Sequence, residues 1–143
     1  MDRDPILVVE DDELVRSFLT RALTADDVDV DACATGADAL TLAAQRTFSV
    51  ILLDGLLPDT HGIDLARLLI QGDGARSGIC FVSGTLRQPQ ALRSGVSALP
   101  KPLRVRELLT AVRELRAWHH ENGDAPAQRL AAVDALAAGL LVS

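Results

Sequence analysis

Short runs of apolar residues that stop abruptly at polar ones alternate along this chain with stretches where apolar residues return every three or four positions. This is the pattern of repeated βα units around a parallel sheet. The runs are Ile6-Leu7-Val8-Val9, Val28 to Ala34, Phe48 to Leu53, Ile79-Cys80-Phe81-Val82 and Val96 to Leu99, and they predict five strands. Three are continuously apolar, as strands covered on both faces are, whereas Val28-Asp29-Val30-Asp31 alternates and reads as an edge strand. Between the runs, Leu14, Phe18, Leu19, Ala22 and Leu23 repeat at helical spacing, as do Leu40, Ala43 and Ala44, then Leu65, Leu68 and Leu69. The gap from Val82 to Val96 leaves room for a helix of only two turns, near Pro89 to Arg93. A last core helix is expected from about Arg104 to Trp118, with Leu108, Val112 and Leu115 facing inward.

Asn122-Gly123-Asp124-Ala125-Pro126 reads as a helix stop and a turn, which divides the chain into a domain at 1–121 and a tail at 122–143. The tail segment Ala127 to Val142 carries only Arg129 and Asp134 as charges, so a helix there is apolar around most of its circumference. Such a helix needs cover, either from its own domain or from a second copy in a homodimer.

A length of 143 residues suits one domain with a sizeable core, and 48% apolar against 24% charged residues suits a packed protein and excludes disordered or collagen-like classes. The net charge is −6, and Arg129 is the only basic residue after Arg116, so nucleic acid is not expected as a direct partner. Met1-Asp2-Arg3-Asp4-Pro5 is acidic, and no apolar run approaches the length of a membrane helix, so a cytoplasmic location with no membrane contact is expected. Cys33 and Cys80 fall in separate apolar runs and read as small buried hydrophobes, with no disulfide or metal cluster implied. Of the 14 basic residues all but Lys101 are arginine, which suggests a role at Lys101 that needs an ammonium.

In a parallel sheet, ligands bind beyond the carboxyl ends of the strands, so the residues that terminate the runs carry the chemistry. They are Glu10-Asp11-Asp12 after the first run, Asp54 after the third, Ser83-Gly84-Thr85 after the fourth and Pro100-Lys101-Pro102 after the fifth. Right-handed crossovers bring the first and third runs side by side if the chain reverses direction after the second. Clustered carboxylates then stay ionised only beside a compensating cation, and hard oxygen ligands of this kind suit Mg²⁺. With a lysine and a serine hydroxyl across the cleft, the set describes a site for a phosphoryl group.

Four segments, Ile6-Leu7-Val8-Val9-Glu10-Asp11-Asp12, Val50-Ile51-Leu52-Leu53-Asp54-Gly55-Leu56-Leu57-Pro58, Val82-Ser83-Gly84 and Lys101-Pro102, stand in an order that resembles the receiver domains of two-component response regulators, over about residues 5 to 118. The resemblance implies an α/β, flavodoxin-like (βα)5 doubly wound parallel sheet of strand order 2-1-3-4-5, here with an additional C-terminal helix. It implies that Asp54 accepts a phosphoryl group from a sensor histidine kinase or a histidine phosphotransfer protein, and that Glu10, Asp11, Asp54 and the backbone carbonyl of Leu56 hold Mg²⁺. Lys101 then pairs with the phosphoryl oxygens, through a cis Lys101-Pro102 bond, and Ser83 is the hydroxyl that signals phosphorylation to a downstream protein target. In that strand order Cys33 and Cys80 lie about 14 Å apart and cannot form a disulfide.

Three positions depart from the family. Ala98 stands where Tyr or Phe is usual three residues before the lysine, and the short Ser83 to Lys101 interval truncates the fourth helix. Leu56 offers no polar group to orient a hydrolytic water, which predicts slow self-dephosphorylation. His61 reads as a turn or surface residue, and the pair His119-His120 as favourable charge at a helix C-terminus. The expected function is that of a receiver that catalyses only its own phosphorylation and dephosphorylation and is otherwise no enzyme. A non-phosphorylated receiver-like interaction module is the alternative. A phosphatase with an aspartyl nucleophile ranks last, because Leu56 stands where such enzymes place a second Asp.

Overall fold

The structure is a computed structural model and describes residues 4–121 and 125–142. Six strands, β1 (Ile6–Val9), β2 (Val30–Cys33), β3 (Val50–Asp54), β4 (Gly78–Ser83), β5 (Gln90–Arg93) and β6 (Val96–Pro100), form one sheet in the order β2-β1-β3-β4-β6-β5. All pairings are parallel except that of β5 with β6. The five expected strands therefore take the expected order, with the alternating strand at one edge. Five helices accompany them: α1 (Glu13–Ala25), α2 (Gly36–Gln45), α3 (Gly62–Ile70), α4 (Val105–Glu121) and α5 (Pro126–Val142).

The two-residue period of the central strands splits the core into two layers. Ile6, Val8, Val50, Leu52 and Cys80 face α1 and α4, where Leu19, Leu23, Leu108, Val112 and Leu115 pack against them. Leu7, Val9, Ile51, Leu53 and Phe81 face the other way, onto residues of α2, α3 and α5. The expected inward residues of α4 are thus buried, whereas Leu14 is 82% and Phe18 41% exposed on the outer side of α1. Cys80 is buried and Cys33 half-buried, with two strands between them, and both are free thiols.

The expected two-turn helix near Pro89 to Arg93 is instead β5. It forms a hairpin with β6 in which Arg93 pairs with Val96 and the two loop residues, Ser94 and Gly95, have φ of 50° and 74°. Two consecutive positive φ values define the tight turn whose twist matches antiparallel strands, and Ser-Gly supplies them at low cost. A helix at this point would have covered the sheet beside α3, and α5 packs there instead, on its own domain, against α3 and β6.

The guanidinium of Arg129 anchors α5. It is fully buried and donates to the carbonyl oxygens of Gly74, Ala75, Ser77, Ser94 and Gly95, and its carbon lies 4.5 Å from the Trp118 ring centroid. Burial pulls its pKa down to about 10. The turn expected at 122–126 lies mostly outside the described residues, as do Met1 to Arg3 of the acidic N-terminal segment. His119 lies in the last turn of α4. It is buried and its ring nitrogens meet the carbonyl oxygen of Arg76 at 2.6 Å and Asp4 Oδ2 at 2.9 Å, tying the N-terminal segment to the α3–β4 connection.

Candidate functional site

The sheet register assembles the site. Val9 is level with Leu53, Asp54 with Val82, and Ser83 with Pro100, so the residues that leave β1, β3, β4 and β6 emerge in one layer at the carboxyl edge. A backbone hydrogen bond from Lys101 N to Ser83 O, 2.9 Å long, fixes the last two against each other. The Lys101-Pro102 peptide is cis.

Within that layer Lys101 Nζ lies 3.0 Å from Glu10 Oε1 and 3.3 Å from Asp54 Oδ1. Glu10, Asp11 and Asp54 place carboxylate oxygens within 4.8 Å of one another. Asp12, the third residue of the acidic run, is used differently: its Oδ1 caps α1 by accepting from Leu14 N and Val15 N. Burial pushes the Glu10 carboxyl up to about 7, with Lys101 opposing and Asp54 adding to the rise. Burial also acts on Lys101, lowering its pKa, but its two carboxylate partners outweigh that effect and the net direction is upward.

Mg²⁺ suits this donor set. Three carboxylates cluster here and one ammonium pairs with two of them, while buried Glu10 Oε1 has that ammonium as a charge partner but no aligned hydrogen bond. A hard divalent cation would satisfy both the surplus charge and the open lone pairs. Leu56 and Pro58 line the same acidic cavity, about 560 Å³ in volume.

Ser83 is 7% exposed and stands beside Gly55, where a Cβ would meet its Oγ at 3.5 Å. Its hydroxyl is turned toward Thr85, sharing a 2.9 Å hydrogen bond with Thr85 Oγ1 and accepting one from Thr85 N. Ala98 is buried in the core layer on the α3 side, with no aromatic ring at this point to couple to that hydroxyl. The structure therefore brings Glu10, Asp11, Asp54, Ser83 and Lys101 together, with Leu56 beside them. His61 is exposed at the N-cap of α3 and makes no side-chain cap bond.

Two residues of the surroundings take roles that the sequence reading did not give them. Asp59 accepts from Gly36 N and Ala37 N at 2.8 and 2.9 Å, and these bonds lower its pKa. It thereby ties the loop that follows Asp54 to the N-terminus of α2. Thr85 is the second; a Ser and a Thr two apart after a strand was the available signal.

Fold and site together define the class: the family model of the response regulator receiver domain matches residues 6–113, and the chain belongs to that family. Among curated proteins it is 33% identical over 138 residues to the DNA-binding response regulator MtrA of Mycolicibacterium paratuberculosis, an alignment covering 92% of this chain and 58% of that protein. It is also 33% identical over 127 residues to the response regulator MprA of a Mycobacterium species (strain KMS), covering 85% of this chain and 55% of the relative. The chain thus spans somewhat more than half the length of these relatives. Among solved structures, a CheY-like receiver domain from Methanospirillum hungatei shares the fold at 21% identity, with a TM-score of 0.72 over 85% of this chain and 100% of that one. The receiver domain of the hybrid histidine kinase CckA superposes with a TM-score of 0.69 at 29% identity, over 78% of this chain and 98% of that one. The expectation that nucleic acid is not a direct partner finds no support in relatives described as DNA-binding. Among the described residues, no helix is long and apolar enough to cross a membrane.

Proposed function

We propose that the chain is a cytoplasmic phospho-receiver in which Asp54 takes a phosphoryl group from the phosphohistidine of a sensor kinase or phosphotransfer protein. The observation that carries this reading is the Lys101 ammonium, placed 3.3 Å from Asp54 and 3.0 Å from Glu10 at the mouth of the acidic cluster. An Asp54 carboxylate oxygen attacks phosphorus, the phosphorus–nitrogen bond to the donor imidazole breaks, and the imidazole leaves with its electron pair and takes up a proton. Lys101 offsets charge on the transferring oxygens, and the backbone around Gly55 keeps Asp54 directed into the cleft. Mg²⁺ held by Glu10, Asp11, Asp54 and the Leu56 carbonyl would supply further charge neutralisation. Ser83 then exchanges Thr85 for the new phosphoryl oxygens and reports the event to a protein partner.

Exposed Leu14 and Phe18 flank the site on α1 and offer a protein donor an apolar contact. A second reading, a receiver-like interaction module that is never phosphorylated, is favoured by two features, the loss of the aromatic at Ala98 and of the helix replaced by β5. Intact mass after incubation with Mg²⁺ and acetyl phosphate decides between them. A gain of one phosphoryl group in the wild type and none in Asp54→Ala is expected. No gain, or an equal gain in the variant, gives the interaction module the lead.

A further inference from the structure

Helix α5 lies over the part of the sheet where β5 stands in place of a crossover helix, and its two ends are held very differently. Near its start, the buried Arg129 guanidinium is bonded to five backbone carbonyls and stacked on Trp118. Farther along, the polar tie is Arg67 to Asp134, at 2.7 Å between groups whose side chains are 39% and 61% exposed. Exposed pairs of this kind contribute little to stability. One turn on, Ala137 borders a cavity of about 630 Å³ that is not filled by side chains and is lined on its other side by Asp54, Phe81, Ser83 and Thr85. Ala137 of α5 therefore shares one cavity, open to solvent, with the candidate phosphoacceptor and its hydroxyl.

We propose that α5 is a tethered output strap: Arg129 holds its proximal end, and phosphorylation of Asp54 loosens its distal half from α3 and β6. This rests on the phosphoacceptor reading above. A phosphoryl group brings charge and three acceptor oxygens beside Ser83. Hydrogen bonds to charged acceptors are roughly twice as strong as neutral ones, so the Ser83 hydroxyl leaves Thr85 for the phosphoryl group. The segment that follows moves with it, and that segment includes Leu86, which packs in the same core layer as Leu130 and Leu136 of α5. Moving Leu86 changes its packing against a helix whose distal end borders an open cavity rather than a filled core. The freed apolar faces of α5 and its seat then become the surface that a downstream protein meets.

Amide hydrogen exchange on the full chain, with intact mass recorded on the same sample, tests the strap. After treatment with Mg²⁺ and acetyl phosphate, amides of residues 130–138 are expected to exchange about tenfold faster, within the usual range of coupling between two sites, with β1 and β3 unchanged. Asp54→Ala treated identically stays at the untreated rate. The exposed substitution Asp134→Ala removes the distal tie; it should speed α5 exchange without phosphate and, by reciprocity, raise the phosphorylated fraction at limiting donor. A mass gain with unchanged or slower α5 exchange overturns the strap and leaves the phosphoacceptor reading standing. No mass gain overturns both, and faster exchange in Asp134→Ala with an unaltered phosphorylated fraction breaks the linkage.

Discussion

Glu10 carries a chemical conflict that has a measurable sign. Its carboxyl is raised from 4.5 to about 7 by burial first, so between those values the folded chain holds a proton that the unfolded chain has lost. Its stabilising contribution is complete below about pH 4.5 and is lost as pH rises through about 7. In chelator, thermal melts from about pH 5 to about pH 8 should show this loss, Glu10→Gln should flatten it, and Mg²⁺ should restore stability at the upper end. Leu56 is 64% exposed beside the acceptor and gives a hydrolytic water nothing to bind. Leu56→Asn is expected to shorten the aspartyl-phosphate half-life by up to about a hundredfold, the lower bound for a positioned proton-transfer group, read by mass after donor removal. The five chemical positions were legible because each follows an apolar run, and strand ends in a parallel sheet are where side chains converge. The bonds of Thr85 and Asp59 were not legible, since their partners are a rotated hydroxyl and a helix start distant in sequence.

At the scale of elements, caps and turns decide what periodicity leaves open. Asp59 satisfies two of the unpaired amides that begin α2, so Asp59→Ala should destabilise the protein by about 1 kcal/mol, measured by urea unfolding. At the hairpin, a Cβ on Gly95 would stand 2.7 Å from the Trp118 ring in a backbone with φ of 74°. Gly95→Ala should therefore cost more than about 1 kcal/mol in the same assay, and loosen the Trp118 platform under Arg129. The central strands and α4 could be read from the chain because burial on both faces, or along one stripe, writes itself into residue order. The stretch from Pro89 to Arg93 could not be read that way: five residues hold too few periods to separate helix from strand, and Ser94-Gly95 was the local sign of the hairpin. Leu14 and Phe18 fit a helical period yet face outward, because a period gives the stripe and not what covers it.

For the whole molecule, two apolar layers enclose one sheet, and the second is completed by a segment outside residues 6–113, the part that matches the receiver family. A helix apolar on most sides needed cover, and from the sequence alone its own domain and a second copy served equally well. The structure places it on its own domain because the missing crossover helix leaves room there. Arg129 is what the sequence concealed most fully: the one basic residue of an apolar segment is among the largest buried side chains.

The β5–β6 hairpin also sets an order of assembly. In a fully wound fold the last parallel strand reaches the sheet only after a helix has closed a long loop, a slow, non-local event. Here β6 also pairs with its immediate neighbour in the chain, through a two-residue turn. Hairpins form within microseconds, so Lys101 approaches the acidic edge on a preformed ribbon, while α5 can settle only once α3, β6 and the carbonyls that receive Arg129 are in place. Substitutions in the hairpin should slow refolding, whereas those in α5 should chiefly speed unfolding, a contrast that φ-value analysis of Gly95→Ala and Val133→Ala would read directly.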